Sequence, residues 1–365
     1  PTATFSPLAG PLADRLSRKA IMIAADLLRC LVVLCLLFVN EPGELPLLYA
    51  LIFSQMSVSI FFDSARSGAL PNTVRREDLH GAYALSAVTW STMLAVGAFL
   101  GGALVERIGI QAVFALDALT YLVSAGFLIK LVLPPTPVQP EPFRFTDVVL
   151  LTDLRRGFAH MRDLGIWPIL FSKVLWSPCG GFLVLFPLLA ATYDGNAGET
   201  IDLEAAGATI GMFFGARGLG TGIGPLVSRR LWGSSERTLV RMTWGGMLVG
   251  ALGYLCLVFA PNMPLALAAV TLAHMGGSAQ WVGSTTYWQR RIDDAFRGRV
   301  FATEFLLMTL SFSVFAFAGG LMYDVFGDLR PVYLILIGAT LVGALVGSRW
   351  FRQLPTDERP PTAAA

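Results

Sequence analysis

Charge is scarce in this chain: Asp, Glu, Lys and Arg make up only 14% of its 365 residues, and lysine occurs 3 times against 24 arginines. With 55% hydrophobic residues beside it, so little charge excludes an ordinary soluble domain. The net charge of +2 gives no argument for a nucleic-acid partner. Cysteine is sparse too, and Cys30, Cys35, Cys179 and Cys256 all fall in apolar runs without metal-ligand spacing. They read as small buried hydrophobes, not as a disulfide framework or a metal site. A phosphate-binding Gly-x-x-x-x-Gly-Lys-Ser/Thr loop is missing, and so is any plausible nucleophile-base pair. ATP hydrolysis and enzyme catalysis are therefore not expected, and no cofactor is implied. There is no start methionine and no charged n-region of a secretory signal ahead of the first apolar run. Period-two alternation in segments of ~10 residues is absent as well, which argues against a transmembrane barrel.

What is present is a series of apolar runs, each of about 20 residues and so long enough to cross about 30 Å of hydrocarbon as a helix. The predicted spans are 20–40, 46–66, 82–106, 110–133, 166–192, 203–228, 238–260, 263–288, 299–325 and 329–352, preceded by a helix end at 1–13. An all-α membrane bundle of ten helices and a stump follows, with the bilayer as its solvent and a monomer as the expected state. Pro168, Pro178 and Pro187 interrupt one span, which membrane helices tolerate when neighbours re-satisfy the freed backbone groups. Arginines gather in alternate loops, around residues 15–19, 75–76, 144–162, 229–237, 290–299 and 349–359, while the intervening loops hold almost none. Loops rich in Lys and Arg stay cytoplasmic, so these loops and both termini of a full-length protein are expected on that side.

The proline-rich stretch "PPTPVQPEP" at 134–142 suits a stiff linker. It divides the chain into an amino-terminal half at 1–133, a linker and amphipathic helix at 134–165, a second half at 166–352 and a tail at 353–365. Within 148–162, Val148, Leu151, Leu154, Phe158 and Met161 recur at helical spacing with arginines on other faces. Such a helix either lies on the anionic inner leaflet or packs beneath the bundle.

The chain also repeats itself. "GPLADRLSRK" at 10–19 is echoed by "GPLVSRRLWG" at 224–233, and "GGALVERIG" at 101–109 by "GGLMYDVFG" at 319–327, with offsets of 214 and 218 residues. Two halves related by an axis along the membrane normal are implied. Because the second copy has a helix and most of another ahead of its Gly-Pro-Leu, the repeat predicts about 50 further residues before the first copy, giving six helices per half.

Gly10, Asp14, Arg15, Arg18 and Lys19 resemble the loop signature of the major facilitator superfamily, with Ser17 where an inner glycine is usual. "AADLLR" (24–29), "FFDSARSGALPNTVRREDLHGAYAL" (61–85), "ALDALTYLVSA" (115–125) and "FRGRVFATEF" (296–305) are similar to its branch of enterobactin exporters and macrolide efflux pumps. The resemblance implies a major facilitator fold and a cytoplasmic gate in which Asp14 latches onto Arg66 and the helix start near Arg299. "VGAFLGG" at 96–102 resembles part of the antiporter signature, with Gly97, Gly101 and Gly102 in place and Ala98 where proline is usual. It favours export over uptake.

Ionisable residues deep in a span cost several kcal/mol unless paired or wet, so each is a candidate site. Arg217 is the leading candidate for a cavity residue that meets a polar or anionic substrate. On the span 263–288, His274, Ser278, Trp281 and Thr285 share one face, a polar and aromatic stripe suited to a cavity wall. Burial lowers a histidine's proton affinity and a nearby acid raises it, so His274 is a candidate for the coupling proton. Gln55 and Ser59 occupy a comparable face of 46–66. Glu304 is either a second proton site or a partner of the latch arginines, the latter being preferred. Trp90, Lys173, Trp176 and Met308 are weaker cavity candidates, read in preference as packing or interface anchors. Asp26 with Arg29, and Asp63 with Arg66, stand three apart and pair locally; Asp117 stands alone. The expected activity is secondary transport: efflux of a drug-like or siderophore-like molecule in exchange for protons, by alternating access, at a bacterial inner membrane. Solute uptake or lysophospholipid movement stays open, as does a non-transporting receptor or scaffold.

Overall fold

Helix starts are marked by side chains that satisfy backbone N–H groups left over in the first turn. Ser17 accepts from Ala20 N, Ser235 from Thr238 N, Asn262 from Leu265 N and Asp328 from Arg330 N, and a helix begins after each. The computed structural model describes residues 1, 4–5, 8–9, 12, 16–75, 79–133, 150–195, 206–233, 235–292 and 294–356. Among them there is no strand. The helices are α1 (Arg18–Leu36), α2 (Leu45–Ala69), α3 (Leu79–Lys130), α4 (Leu150–Asp163), α5 (Ser172–Trp176), α6 (Gly180–Tyr193), α7 (Gly207–Trp232), α8 (Glu236–Val258), α9 (Met263–Gln289), α10 (Asp294–Phe326) and α11 (Leu329–Phe351).

Two of the expected spans meet inside α3, where Gly109 has φ 78° and ψ 158° and breaks the helix in one residue. Glycine adopts that backbone at no steric cost, so the chain reverses with no loop. Proline breaks the span 166–192 instead. Short 3₁₀ turns at Trp167–Phe171 and Ser177–Cys179 flank α5, and Pro187 lies inside α6. The hydroxyl of Ser177 donates to the Lys173 carbonyl at 2.7 Å, re-satisfying a backbone group beside the break.

Among the described residues each of the ten expected spans is helical over most of its length, and six stretches are long and apolar enough to cross a bilayer by length and composition alone: Pro42–Ala69, Thr92–Lys130, Trp167–Tyr193, Glu236–Val258, Thr303–Phe326 and Leu329–Phe351. Leucine, valine and phenylalanine face outward along these helices, as Phe127, Val314, Phe317 and Leu345 do. Polar groups such as Lys173, Thr340 and Glu304 are buried and hydrogen-bonded. That distribution suits a hydrocarbon solvent, in which polar groups must find partners inside the protein.

The chain divides into two compact units, Pro1–Ala87 with Leu104–Leu150, and Val88–Ala103 with Leu151–Ala365. In the first, α1 and α2 pack through Met22, Ala65 and Ala69, and Cys30, Val33 and Ala118 form a second small core beside Phe114 and Tyr121. In the second, Phe182 stacks on Tyr254 at 3.8 Å and leans on Tyr333 at 4.7 Å. Glycines bring α8 and α9 together: Gly246 faces the backbone of Gly276, and Gly253 that of Ala273. Small residues permit such close approach between helices in a membrane. The stretch 88–103 groups with the second unit through the same kind of contact, against α7. Helix α4 packs on the core of that unit. Met161 is fully buried there and Phe158 meets Phe171 edge-on, while Arg155, Arg156 and Arg162 stay exposed.

Candidate functional site

The loop signature lies partly outside the described residues, which leave out Gly10, Asp14 and Arg15 and the side chain of Arg299. Its last two cations tie the start of α1 to two helix ends. Arg18 donates to the Gly68 carbonyl, at the end of α2, and Lys19 Nζ to the Ile129 carbonyl, at the end of α3, at 2.7 Å. Cations favour the carbonyl ends of helices, where the macrodipole is negative. Arg66 is exposed and faces Asp63 on its own helix at 3.8 Å.

In the antiporter-like stretch only one glycine is pressed against a neighbour. A Cβ on Gly102 would run into the Gly207 carbonyl and come within 2.8 Å of Gly211 Cα, whereas Gly97 and Gly101 have nothing within 4 Å. Gly211 faces Ala98 O, and Gly218 lies against Ala95, so α7 presents a row of glycines to this stretch. Beside the contact, Phe99, Met212, Leu219, Leu267 and Thr271 line an apolar cavity of about 370 Å³.

The stripe on α9 serves two separate clusters. At one end His274 is buried, with Nε2 and the Tyr254 hydroxyl 3.1 Å apart and Phe186 edge-on to its ring. The Arg217 guanidinium lies 6.0 Å from the Phe214 ring, and its Nε is buried without a hydrogen-bond partner. Among the described residues no carboxylate is hydrogen-bonded to His274. Ser278 donates to Met275 O and Gly220 O, at the crossing with α7.

At the other end stands a buried ion pair. Lys173 Nζ lies 2.6 Å from Glu304 Oε2 and 2.9 Å from Thr285 Oγ1, and its ammonium sits 3.9 Å from the centre of the Trp281 ring. Trp288 Nε1 donates to the same Glu304 oxygen at 3.2 Å, and the other oxygen, Oε1, is buried without a partner. The two side chains are 2% and 1% exposed, so solvent screens the pair hardly at all. The preferred expectation that Glu304 bonds the latch arginines is thereby corrected. Lys173 is likewise not a mere packing residue: the proline-broken span carries it on α5, directly opposite the acid on α10.

The two candidates on α2 are both engaged, Ser59 within its own helix and Gln55 across to α3. Ser59 donates to Met56 O at 2.9 Å within its own helix, and Gln55 Nε2 donates to Tyr121 OH at 2.9 Å. Sequence reasoning ranked Lys173 low and missed Tyr121 and Tyr254. A lone lysine in the middle of an apolar run was a readable signal, since it needs a buried acid. The tyrosines carried none, because their rings suit apolar surroundings and only the fold shows where the hydroxyl points. Among the described residues no group of His, Cys, Asp and Glu could hold a metal ion.

Apolar helices of membrane-spanning length, with charges paired and buried between them, define a multi-pass membrane protein. The model of the Major Facilitator Superfamily matches residues 1–240 and again 197–365. The chain belongs to the major facilitator superfamily, whose members are transporters and not enzymes. It is 25% identical over 349 residues to the Bacillus subtilis (strain 168) protein named as the bacilysin exporter BacE, covering 94% of this chain and 82% of that one. It is 24% identical over 352 residues to macrolide efflux protein A of Streptococcus pyogenes, with the same shares covered. Matches to two further Bacillus proteins span only 60% and 35% of those proteins' lengths. The solved structure of the nucleoside transporter NupG has the same fold, with a TM-score of 0.69 at 15% identity over 96% of this chain and 87% of that one.

Proposed function

We propose that this transporter exports a drug-like or siderophore-like small molecule across a bacterial inner membrane in exchange for protons, by alternating access. The observation that carries the reading is the Lys173–Glu304 pair. A carboxylate in a membrane span persists in its charged form only with a counter-charge, and Lys173 provides one. A proton on Glu304 Oε2 would cancel the attraction and release the ammonium, so protonation and rearrangement at α5, α9 and α10 are linked. Two arrangements that differ in protonation are what an ion-driven transporter needs. Export in particular is supported by the relatives named for bacilysin export and macrolide efflux. Trp281, whose ring is partly exposed, and Arg217, with its unpartnered Nε, are the residues we assign to substrate contact.

The test is accumulation of ethidium and of a labelled siderophore in an efflux-deficient bacterium expressing the gene. Lower accumulation that a protonophore abolishes is expected, and Glu304→Gln should remove the protonophore-sensitive part. Unchanged accumulation of every compound would overturn the export reading.

A further inference from the structure

The first unit contains a second buried polar cluster that the Lys173–Glu304 pair does not explain. Tyr121 OH accepts from Arg29 Nη2 and from Gln55 Nε2, each at 2.9 Å. With both lone pairs occupied, its own proton is left to donate. Three further buried atoms in the cluster have no hydrogen-bond partner: Asp26 Oδ2, Arg29 Nε and Gln55 Oε1. Two donors and two acceptors are thus left over, the complement of a water molecule, which binds buried where two to four polar partners converge.

The charges do not balance either. From α1 come Asp26 and Arg29, from α2 only the neutral Gln55, and from the second limb of α3 Tyr121 and the exposed Asp117. Two acids therefore share one cation. Asp26 is the buried acid, 2% exposed, and its contact with Arg29 Nη1 is loose at 3.9 Å, against 2.6 Å in the Lys173–Glu304 pair. Arg29 is meanwhile held elsewhere, 4.5 Å from the Tyr121 ring centre and 5.7 Å from that of Phe62. The Ser124 side chain also approaches the Asp26 carboxylate.

We propose that Asp26 is a second proton-binding site, loaded and unloaded through a water molecule held by Tyr121, Gln55 and Arg29. The occupant is a hydrated proton: the proton joins Asp26 Oδ2, leaving a neutral acid with Arg29 and the exposed Asp117 as the charged groups that remain, and returns to the water on release. This extends the proton-exchange reading, but the test reads proton occupancy rather than flux, so the two can fail separately.

The probe is dicyclohexylcarbodiimide, which modifies protonated carboxyls in apolar surroundings. The purified full-length protein is labelled from about pH 5.5 to about pH 8.5 and its peptides are mapped by mass spectrometry; above the midpoint, labelling of Asp26 should fall about tenfold per pH unit. Asp26→Glu should keep the label and Asp26→Asn lose it. Absence of label on Asp26 at every pH, with other buried carboxyls modified, would overturn the proposal. Label that does not change with pH would overturn it equally.

Discussion

Removing one member of the Lys173–Glu304 pair should cost far more than removing both. Lys173→Met leaves a carboxylate at 1% exposure whose surviving partner is the Trp288 indole N–H, with Oε1 already orphaned. Stranding a buried charge in this way typically costs about 3–5 kcal/mol, whereas replacing the whole pair by neutral groups of similar volume is often close to neutral. The Thr285 hydroxyl loses its hydrogen bond to Lys173 in either case, adding about 1 kcal/mol. With at most roughly 2–4 °C per kcal/mol, the figure for domains of about 150–250 residues, the single variant should melt up to roughly 8–24 °C lower. Lys173→Met combined with Glu304→Gln should recover at least half of that. The assay is thermal unfolding of the detergent-solubilised protein by intrinsic fluorescence, arranged as a double-mutant cycle with Glu304→Gln alone as the fourth corner. Additive losses, with the double variant worse than either single one, would refute the reasoning, because two groups that balance each other's charge cannot contribute independently.

Two other positions separate specific contacts from general ones. Gly102→Ala should destabilise by about 1–3 kcal/mol, since its Cβ would meet the α7 backbone, while Gly97→Ala and Gly101→Ala, which face open space, should shift the melting temperature little; equal effects at all three would show that the contact is not the cause. Glu236, in the first turn of α8, holds the guanidinium of Arg291 through two hydrogen bonds, with the Tyr287 ring 5.3 Å beneath it. Glu236→Ala should cost about 3–5 kcal/mol and increase hydrogen exchange at the adjoining ends of α8 and α9; unchanged exchange there would refute the role.

The helices were legible because hydrocarbon imposes one length and one composition on every span, and neither depends on which neighbour a helix meets. Partners depend on nothing local. Lys173 and Glu304 are separated by 131 positions, and either could have been read as costly when unpaired, yet only the packing of α5 beside α10 identifies each as the answer to the other. The same limit applies to Gly97, Gly101 and Gly102: the motif marks a helix surface meant for close approach, but the rotation of that helix selects Gly102. Gln55 was legible as a polar residue in a span. Its partner Tyr121 was not, because a tyrosine is ordinary there until its hydroxyl acquires neighbours.

The glycine row of α7 carries a mechanical consequence. Where ridges of side chains interlock, sliding one helix along another requires every rotamer on the seam to be withdrawn and reset. Between Gly207, Gly211 and Gly218 on one side and Ala95, Ala98 and Gly102 on the other there is almost nothing to withdraw. Such a seam behaves as a bearing, tight across its width and free along its length. Resistance to movement in this unit is therefore concentrated away from that seam, in its buried ion pairs.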